Sequence, residues 1–265
     1  MSHGVRPLAP APNETRNDGG EGSDPVPASA DRRHVGVVIP CLDEEAAIGG
    51  CVAAVLACGV GEVVVVDGQS TDRTAERAAA AGAKVVVEPV RGYGRAMLAG
   101  LAALTPTRTV ILFIDGDGSD RPDMIPAMLE PIVCGRADFV LGSRLSGERE
   151  PGSLSAAQIV AGSLAGLLIR LLYRVRFTDM SPFRAIRRDA LDRLGMAEQG
   201  FGWNLEMQVR AAAAGLRIVE IPVGQRCRAG GVSKVSGNWR TAARAAFALA
   251  GVFARLAWQL RQEPR

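Results

Sequence analysis

The sequence predicts an α/β fold built on a mostly parallel sheet with helices on both faces. Three observations lead there. Between residues 35 and 114, short β-rich apolar runs alternate with helical stretches in the order β, α, β, α, β, α, β. That alternation marks βαβ units, whose crossover helices cover the sheet. The runs VVVV and VILF are apolar throughout and not at every second residue, as strands buried on both faces must be. Two runs stop at an aspartate followed by glycine, in VVVVDG and LFIDGD. Acidic turns therefore gather at the strand ends where open α/β sheets bind ligands.

Residues 1–33 are rich in Pro, Gly, Ala and Asn, without periodicity. They lack the apolar surface to offset ordering and are expected to be a disordered tail. The first strand is expected over residues 35–40, VGVVIP. A helix through CLDEEAAIGGCVAAVLAC follows, with Asp43, Glu44 and Glu45 in its first turn, where acids suit the helix dipole. Residues 62–67 read as a second strand, and Ser70 or Thr71 can cap a helix over 72–81. Residues 84–88 read as a third strand. RGYGRAMLAGLAAL is a glycine-rich turn entering a helix, a place that can take phosphate, with a plain turn as the simpler account. The fourth strand runs into DGDGSDRP. A helix is expected over 124–133, then a fifth strand over 138–141 leading into GSRLSGEREPGSL.

Residues 154–169 carry no charge, which falls short of the roughly 20 apolar residues of a membrane span. Ser155, Gln158 and Ser163 weaken that reading further, so a buried or interfacial helix is expected. TDMSPFRAIRRDAL reads as a loop, a short strand and a helix start. FGWNLEMQVRAAAAGL is a helix with Glu206 in its first turns, RIVEIPVGQRC a bent strand or strand pair, and GVSKVSG a basic loop. The domain is thus expected over 34–237. Residues 238–265 are expected to form a C-terminal amphipathic helix, with Arg240, Arg244, Arg255 and Arg261 interrupting an apolar sequence. Such a helix can lie in a membrane interface, pack on the domain or make an oligomer contact.

The chain has 265 residues, 48% hydrophobic and 22% charged, which is ordinary for a globular protein. Its net charge of +3 hides an asymmetry. Residues 1–169 carry 14 Arg/Lys against 21 Asp/Glu, whereas residues 170–265 carry 17 against 7. The basic C-terminal third suits a phosphate-bearing ligand or an anionic membrane surface. Few aromatics and no nucleic-acid motif argue against DNA or RNA. Five cysteines (41, 51, 58, 134 and 227) form no CxxC, and only His3 and His34 could join them, so a zinc site is not expected. The odd, scattered set fits a reducing cytosol. The N-terminus has no apolar signal-peptide core, and neither GxGxxG nor a Walker A motif is present.

The chemistry concentrates in the acidic turn. Asp115 and Asp117 stand two apart after a buried strand, among glycines that let backbone approach a ligand. Mg²⁺ or Mn²⁺ takes one or two carboxylates together with phosphate oxygens. The plain alternative is an acidic surface turn, since Asp and Gly dominate turns. Asp67 closes the second strand in the same way. Arg144 leaves the fifth strand on the ligand side, where a guanidinium can clamp phosphate, or where it is simply a solvated loop arginine. Lys234, one of only two lysines, stands in the basic loop.

VVIPCLDEE, VVVVDGQSTDRT, RGYGRA, FIDGDGSDRP, LGSR, PFRAIRRD and RAGGVSKVSG occur in that order. Together they resemble family 2 glycosyltransferases of the GT-A fold, nearest the dolichyl- and polyprenyl-phosphate sugar synthases, over roughly residues 34–240. The resemblance implies that Pro40, Leu42 and Glu44 line the nucleotide base and ribose. It places Asp67 on the nucleotide, although the family usually has two aspartates there. Asp115 and Asp117 match the DxD pair that holds Mg²⁺ or Mn²⁺ on the donor diphosphate. Ser119 stands where relatives often carry Gln or Asp, leaving Asp120 or water as the third ligand. Arg144 matches an arginine near the acceptor phosphate, Arg184 lies in a segment similar to GFRA, and Arg228 and Lys234 match a region that closes over phosphates.

The implied reaction is inverting, metal-dependent transfer of a hexose from a UDP- or GDP-sugar to a polyprenyl phosphate. The enzyme would be cytoplasmic and peripheral on the membrane's cytoplasmic face, meeting it through segments 154–172 and 241–260. An ionised phosphate acceptor needs no strong base, whereas a hydroxyl acceptor needs a carboxylate, for which Glu206 and Asp179 are the candidates. Two alternatives stay open: the same donor chemistry with a soluble hydroxyl acceptor, and a nucleotide-sugar-binding protein without catalysis.

Overall fold

The computed structural model describes residues 31–229 together with Gly251, Phe253, Arg255 and Leu256. Residues 1–30 of the expected 1–33 tail, Lys234 and most of the expected C-terminal helix lie outside the described residues. Seven strands form one sheet: β1 (Val35–Cys41), β2 (Glu62–Asp67), β3 (Lys84–Val87), β4 (Val110–Phe113), β5 (Phe139–Ser143), β6 (Arg184–Arg187) and β7 (Ile218–Pro222). Their order is β3-β2-β1-β4-β6-β5-β7. The pairs β1–β2, β1–β4, β2–β3 and β5–β7 are parallel, while β6 runs antiparallel between β4 and β5. The sheet is mostly parallel, as expected. Its order reverses between β1 and β4, and such a switch point opens a crevice at the strands' C-terminal ends.

The helices are α1 (Ile48–Ala57), α2 (Thr74–Ala80), α3 (Tyr93–Ala103), α4 (Ile125–Val133), α5 (Ala156–Tyr173), α6 (Arg188–Leu194) and α7 (Trp203–Ala213). Successive strand residues point to opposite faces, so β1 feeds two cores. Val37 and Ile39 pack with Ile48, Val52 and Met128 of α1 and α4. Val38 packs with Met97, Trp203 and Met207 of α3 and α7. The last strand segment is a single β7, and the chain beyond it makes one bridge, Gln225 with Arg149.

Two expectations are corrected at the strand ends. Asp43, Glu44 and Glu45 do not open α1, which begins at Ile48 with no acid in its first turn. Ser70 and Thr71 do not cap α2, which begins at Thr74 without a side-chain N-cap. The reason is that the two loops bond to each other. The Asp43 amide donates to Ser70 Oγ at 2.9 Å, and Thr71 N returns a bond to Asp43 Oδ1 at 2.8 Å. Glu44 N donates to Thr74 Oγ1 at 2.8 Å, and Arg73 N donates to Glu45 Oε2 at 3.0 Å. These cross-loop bonds hold Asp43 at φ 53°, a left-handed conformation that aspartate tolerates.

Helix α5 departs from the buried alternative. A reciprocal Ser155–Gln158 capping box starts it, satisfying otherwise orphaned donors. Its inner face carries Gly162 and Gly166, and a Cβ on Gly166 would lie 2.2 Å from the Phe177 carbonyl oxygen. Its outer face exposes Val160, Leu164, Leu167 and Leu171. Only 17% of the helix is buried, its mean hydropathy is 1.6, and among the described residues it is the one helix long and apolar enough to cross a membrane. At 1.5 Å per residue it spans about 27 Å, just under a bilayer core of about 30 Å.

Gly166→Ala would force α5 away from the Phe177 backbone. The expected cost is about 1–3 kcal/mol, which a thermal melt reads as a Tm fall of about 2–4 °C per kcal/mol in a chain of this size. An unchanged Tm would show that the contact yields freely.

Candidate active site

The crevice at the β1/β4 switch point gathers most of the predicted residues. Pro40 stands opposite Val66 and Cys41 opposite Asp67 in the β1–β2 register, so 40, 42, 44 and 67 share one sheet edge. Asp67 is buried, and its carboxylate accepts from Ser70 N at 3.2 and 3.3 Å. From β4 the chain enters a tight acidic loop. Asp115 N donates to Asp120 Oδ2 at 3.0 Å. Ser119 donates to Asp117 Oδ1 through its amide (2.9 Å) and its hydroxyl (2.7 Å). Gly118, at φ +77°, supplies the left-handed turn between them. Ser119 therefore orients Asp117.

This loop concentrates negative charge away from water. Burial, then the charges of Asp117 and Asp120, push the Asp115 carboxyl well above the usual carboxylate range. Burial, with Asp117 adding to it, carries Asp120 to about 7. Asp120 Oδ1 is buried with no hydrogen-bond partner. Oxygen donors, crowded charge and an unsatisfied oxygen fit a hard divalent cation. Among the described residues no group of three His, Cys, Asp or Glu side chains forms a ready metal cage. A carboxylate pair completed by substrate phosphates and water is the arrangement Mg²⁺ commonly adopts.

The segment after β7 docks on the loop. Arg226 N donates to Ser119 O at 2.9 Å, Ala229 N to Asp117 O at 3.2 Å, and Gln225 Nε2 to Ser119 Oγ at 3.2 Å. Arg228 then reaches between two predicted residues. Its guanidinium hydrogen-bonds Glu44 Oε1 and lies 3.3 Å from Asp117 Oδ2.

Arg144 is not a solvated loop arginine. It is buried and forked onto Asp179, Nε to Oδ2 at 2.7 Å and Nη2 to Oδ1 at 2.8 Å, while its amide adds a 3.0 Å bond. Burial disfavours the cation, but Asp179 outweighs it and raises the Arg144 pKa, with the charges of Asp120 and Asp115 also acting. Burial likewise opposes the Asp179 carboxylate, and the Arg144 hydrogen bonds and charge hold its pKa below the usual range. Arg184 is a core residue. It donates to the carbonyls of Ser181 and Asn204, stacks 5.9 Å over Phe139, and is lowered by burial to about 10.

Glu206 is drawn elsewhere. Its carboxylate accepts from Glu198 N (2.8 Å), Ala197 N (3.1 Å) and Arg210 Nε (2.9 Å). The glycine-rich turn follows the simpler of its two accounts. The α3 amides of Gly94 and Arg95 donate to the carbonyls of Gly200 and Gln199, both at 3.1 Å, so they are not open to phosphate. Gly94 is required there because a Cβ would sit 2.0 Å from the Glu198 carbonyl. Sequence reasoning missed Tyr93, whose hydroxyl donates to Asp115 Oδ1 at 3.3 Å. Its position between two glycines was the only available signal.

An α/β glycosyltransferase is the class that this sheet and its acidic switch-point loop define. The profile described as "Glycosyl transferase family 2" matches residues 36–195, and the chain belongs to that family. It is 43% identical over 209 residues to an uncharacterized glycosyltransferase of Mycobacterium tuberculosis, covering 78% of this chain and 91% of that protein. It is 36% identical over 198 residues to the dolichyl-phosphate hexose transferase of Haloferax volcanii, covering 73% and 83%. The solved glucosyl-3-phosphoglycerate synthase of M. tuberculosis, with Mn²⁺, UDP and product, superposes with a TM-score of 0.65 at 23% identity, covering 84% and 79%, a likeness of fold.

The Arg144–Asp179 pair sets a pH dependence. Asp179 titrates below its unfolded value of about 3.9, so the pair stabilises the fold above roughly pH 4 and loses that contribution as pH falls through the folded-state value. Arg144→Met strands a buried carboxylate, at an expected cost of about 3–5 kcal/mol near neutral pH. Burial then raises the lone carboxyl, so the stability gap to wild type should narrow by about pH 4.5. Melts at both pH values test this, and a gap that stays constant would count against the pair.

Proposed function

We propose that this enzyme moves a hexose from a nucleoside-diphosphate sugar to a polyprenyl phosphate, with inversion, at a membrane surface. The observation that carries the donor half is the acidic loop: Asp115, Asp117 and Asp120 sit together at the switch point, beside Glu44 and Arg228, with Asp67 at the end of β2 opposite Cys41. Asp115 and Asp117 would hold Mg²⁺ or Mn²⁺, which supplies a Lewis acid for the departing diphosphate. Arg228, which pairs with Glu44 and Asp117, would turn toward the diphosphate and stabilise its developing charge; the resemblance gives Lys234 the same part. Pro40, Leu42, Glu44 and Asp67 would receive the nucleoside.

The acceptor half rests on two supports. The carboxylates considered as a base for a hydroxyl acceptor are both engaged, Asp179 by Arg144 and Glu206 by two amides and Arg210. A lipid phosphate arrives ionised and needs neither. The Haloferax relative is by name a dolichyl-phosphate hexose transferase. The exposed leucine face of α5, with Arg170, Arg174 and Arg176 near its end, suits the interface of an anionic leaflet on the cytoplasmic side.

Purified protein given UDP- and GDP-sugars with Mg²⁺ or Mn²⁺ should release nucleotide faster when undecaprenyl phosphate is added, and not at all in EDTA. Release indifferent to the lipid would move the acceptor to a hydroxyl compound. Asp117→Ala should lower transfer by at least about 100-fold with an unchanged circular dichroism spectrum. Near-normal turnover in that variant would remove the metal assignment. The double variant Leu164→Glu/Leu171→Glu changes only exposed positions. It should fold normally yet sediment less with anionic vesicles, and equal sedimentation would exclude α5 as the membrane face.

A further inference from the structure

We propose that Tyr93 is a positioning residue for Asp115, and that Glu206 acts on the site through it. The proposal rests on the reading that Asp115 receives the donor's divalent cation. Among the described residues, the Tyr93 hydroxyl is the side-chain donor to the Asp115 carboxylate, at 3.3 Å on Oδ1. A carboxylate crowded by Asp117 and Asp120 turns away from like charge unless something fixes it. A neutral donor on one oxygen sets the carboxylate plane and leaves the other oxygen for a cation.

Tyr93 is itself fixed from two sides. It is the first residue of α3, whose Ala96, Met97 and Gly100 are buried against the sheet. A Cβ on Gly100 would come within 2.4 Å of Val38 Cγ1, so the helix lies tight on β1. On its other side the start of α3 is bonded to the 197–200 loop through Gly94 N and Arg95 N. Gly92 and Gly94 permit an approach that any side chain would block, with built Cβ atoms 2.6 Å from Gln199 O and 2.0 Å from Glu198 O. A shift of that loop therefore shifts Tyr93.

The loop hangs on Glu206. This α7 carboxylate, 2% exposed, accepts the amides of Ala197 and Glu198 and is backed by Arg210. Arg255 pairs with Glu198 from behind. The contacts run unbroken from Glu206 to the 197–200 loop, to the α3 N-terminus, to Tyr93 and to Asp115. Glu206 is thereby an anchor for the site and not a proton acceptor within it.

The test measures Mn²⁺ binding directly, from the electron paramagnetic resonance signal of free Mn²⁺ titrated against protein with UDP and, separately, with GDP. Tyr93→Phe keeps the ring and its packing and removes only the donor. Its Tm should match wild type while its Mn²⁺ dissociation constant rises roughly tenfold, the scale of one lost hydrogen bond to a charged group. Turnover should fall at limiting Mn²⁺ and recover at excess, with the acceptor KM unchanged. Unchanged Mn²⁺ affinity in Tyr93→Phe would overturn the proposal even though wild type binds the ion. A wild type that binds no Mn²⁺ with either nucleotide would overturn the metal reading beneath it as well. Glu206→Gln removes the charge and sets an NH2 against either the two backbone amides, which share Oε2, or Arg210 Nε, and should weaken Mn²⁺ in the same direction. If Glu206 acts through Tyr93, the double variant is no weaker than the worse single one. Multiplying effects would overturn the Glu206 half, and if Glu206→Gln fails to fold, Tyr93→Phe decides alone.

Discussion

The constraint on which the rest of this site depends is the crowding of Asp115, Asp117 and Asp120 into one short loop at the end of β4. Three carboxylates that close, shielded from water, repel one another strongly. The surrounding structure reads as the means of keeping them there. Ser119 ties down Asp117, the Asp115 amide ties down Asp120, Tyr93 donates to Asp115, and Arg228 brings a cation to Asp117. Arg144 adds charge from a second element, itself held by Asp179. A loop of this kind is costly for a protein that never meets a cation, and that cost makes a purely structural turn a poor account of it.

The neighbouring elements behave as a preformed frame. The loops after β1 and β2 are bonded across to each other through Asp43, Glu45, Ser70 and Thr74. The side of the crevice proposed for the nucleoside is thus tied together by the chain itself. The side proposed for the phosphates is held differently, by ionic contacts of Arg228 and a few backbone bonds from residues 226 and 229. Ionic contacts exchange readily when a stronger charge arrives. Stiffness on one side and exchangeable contacts on the other suit a donor whose base is recognised and whose diphosphate leaves.

The parallel half of the fold was legible because strands buried on both faces announce themselves as unbroken apolar runs, as in VVVV and VILF. The acidic loop was legible because its aspartates follow such a run directly. The antiparallel insertion of β6 was not. Its four residues, Arg184–Arg187, begin and end in arginine, and nothing local states which strands accept it. The start of α1 was misplaced because acids before a helix have a ready local explanation in the dipole, and tertiary bonds to the next loop overrode it. Glu206 invited a reading as a base. A carboxylate on a helix of an enzyme suggests chemistry, and only the fold shows its oxygens already taken by backbone amides. Tyr93 carried no periodic or motif signal, since its role depends on a residue 22 positions away.

The place of β6 has a further consequence, for the order in which the chain can be completed. The β1 partner of strand β4 precedes it in the chain, but the other edge of β4 waits for a strand that begins about seventy residues later. At a synthesis rate of about 5–20 residues per second, that edge is unpaired for roughly 4–14 s. It is short, fully apolar, and ends in the acidic loop. An open apolar edge is where chains join wrongly. The like charges that make the finished loop hard to hold would meanwhile repel a second nascent copy, giving Asp115, Asp117 and Asp120 a protective part to play before the site is assembled.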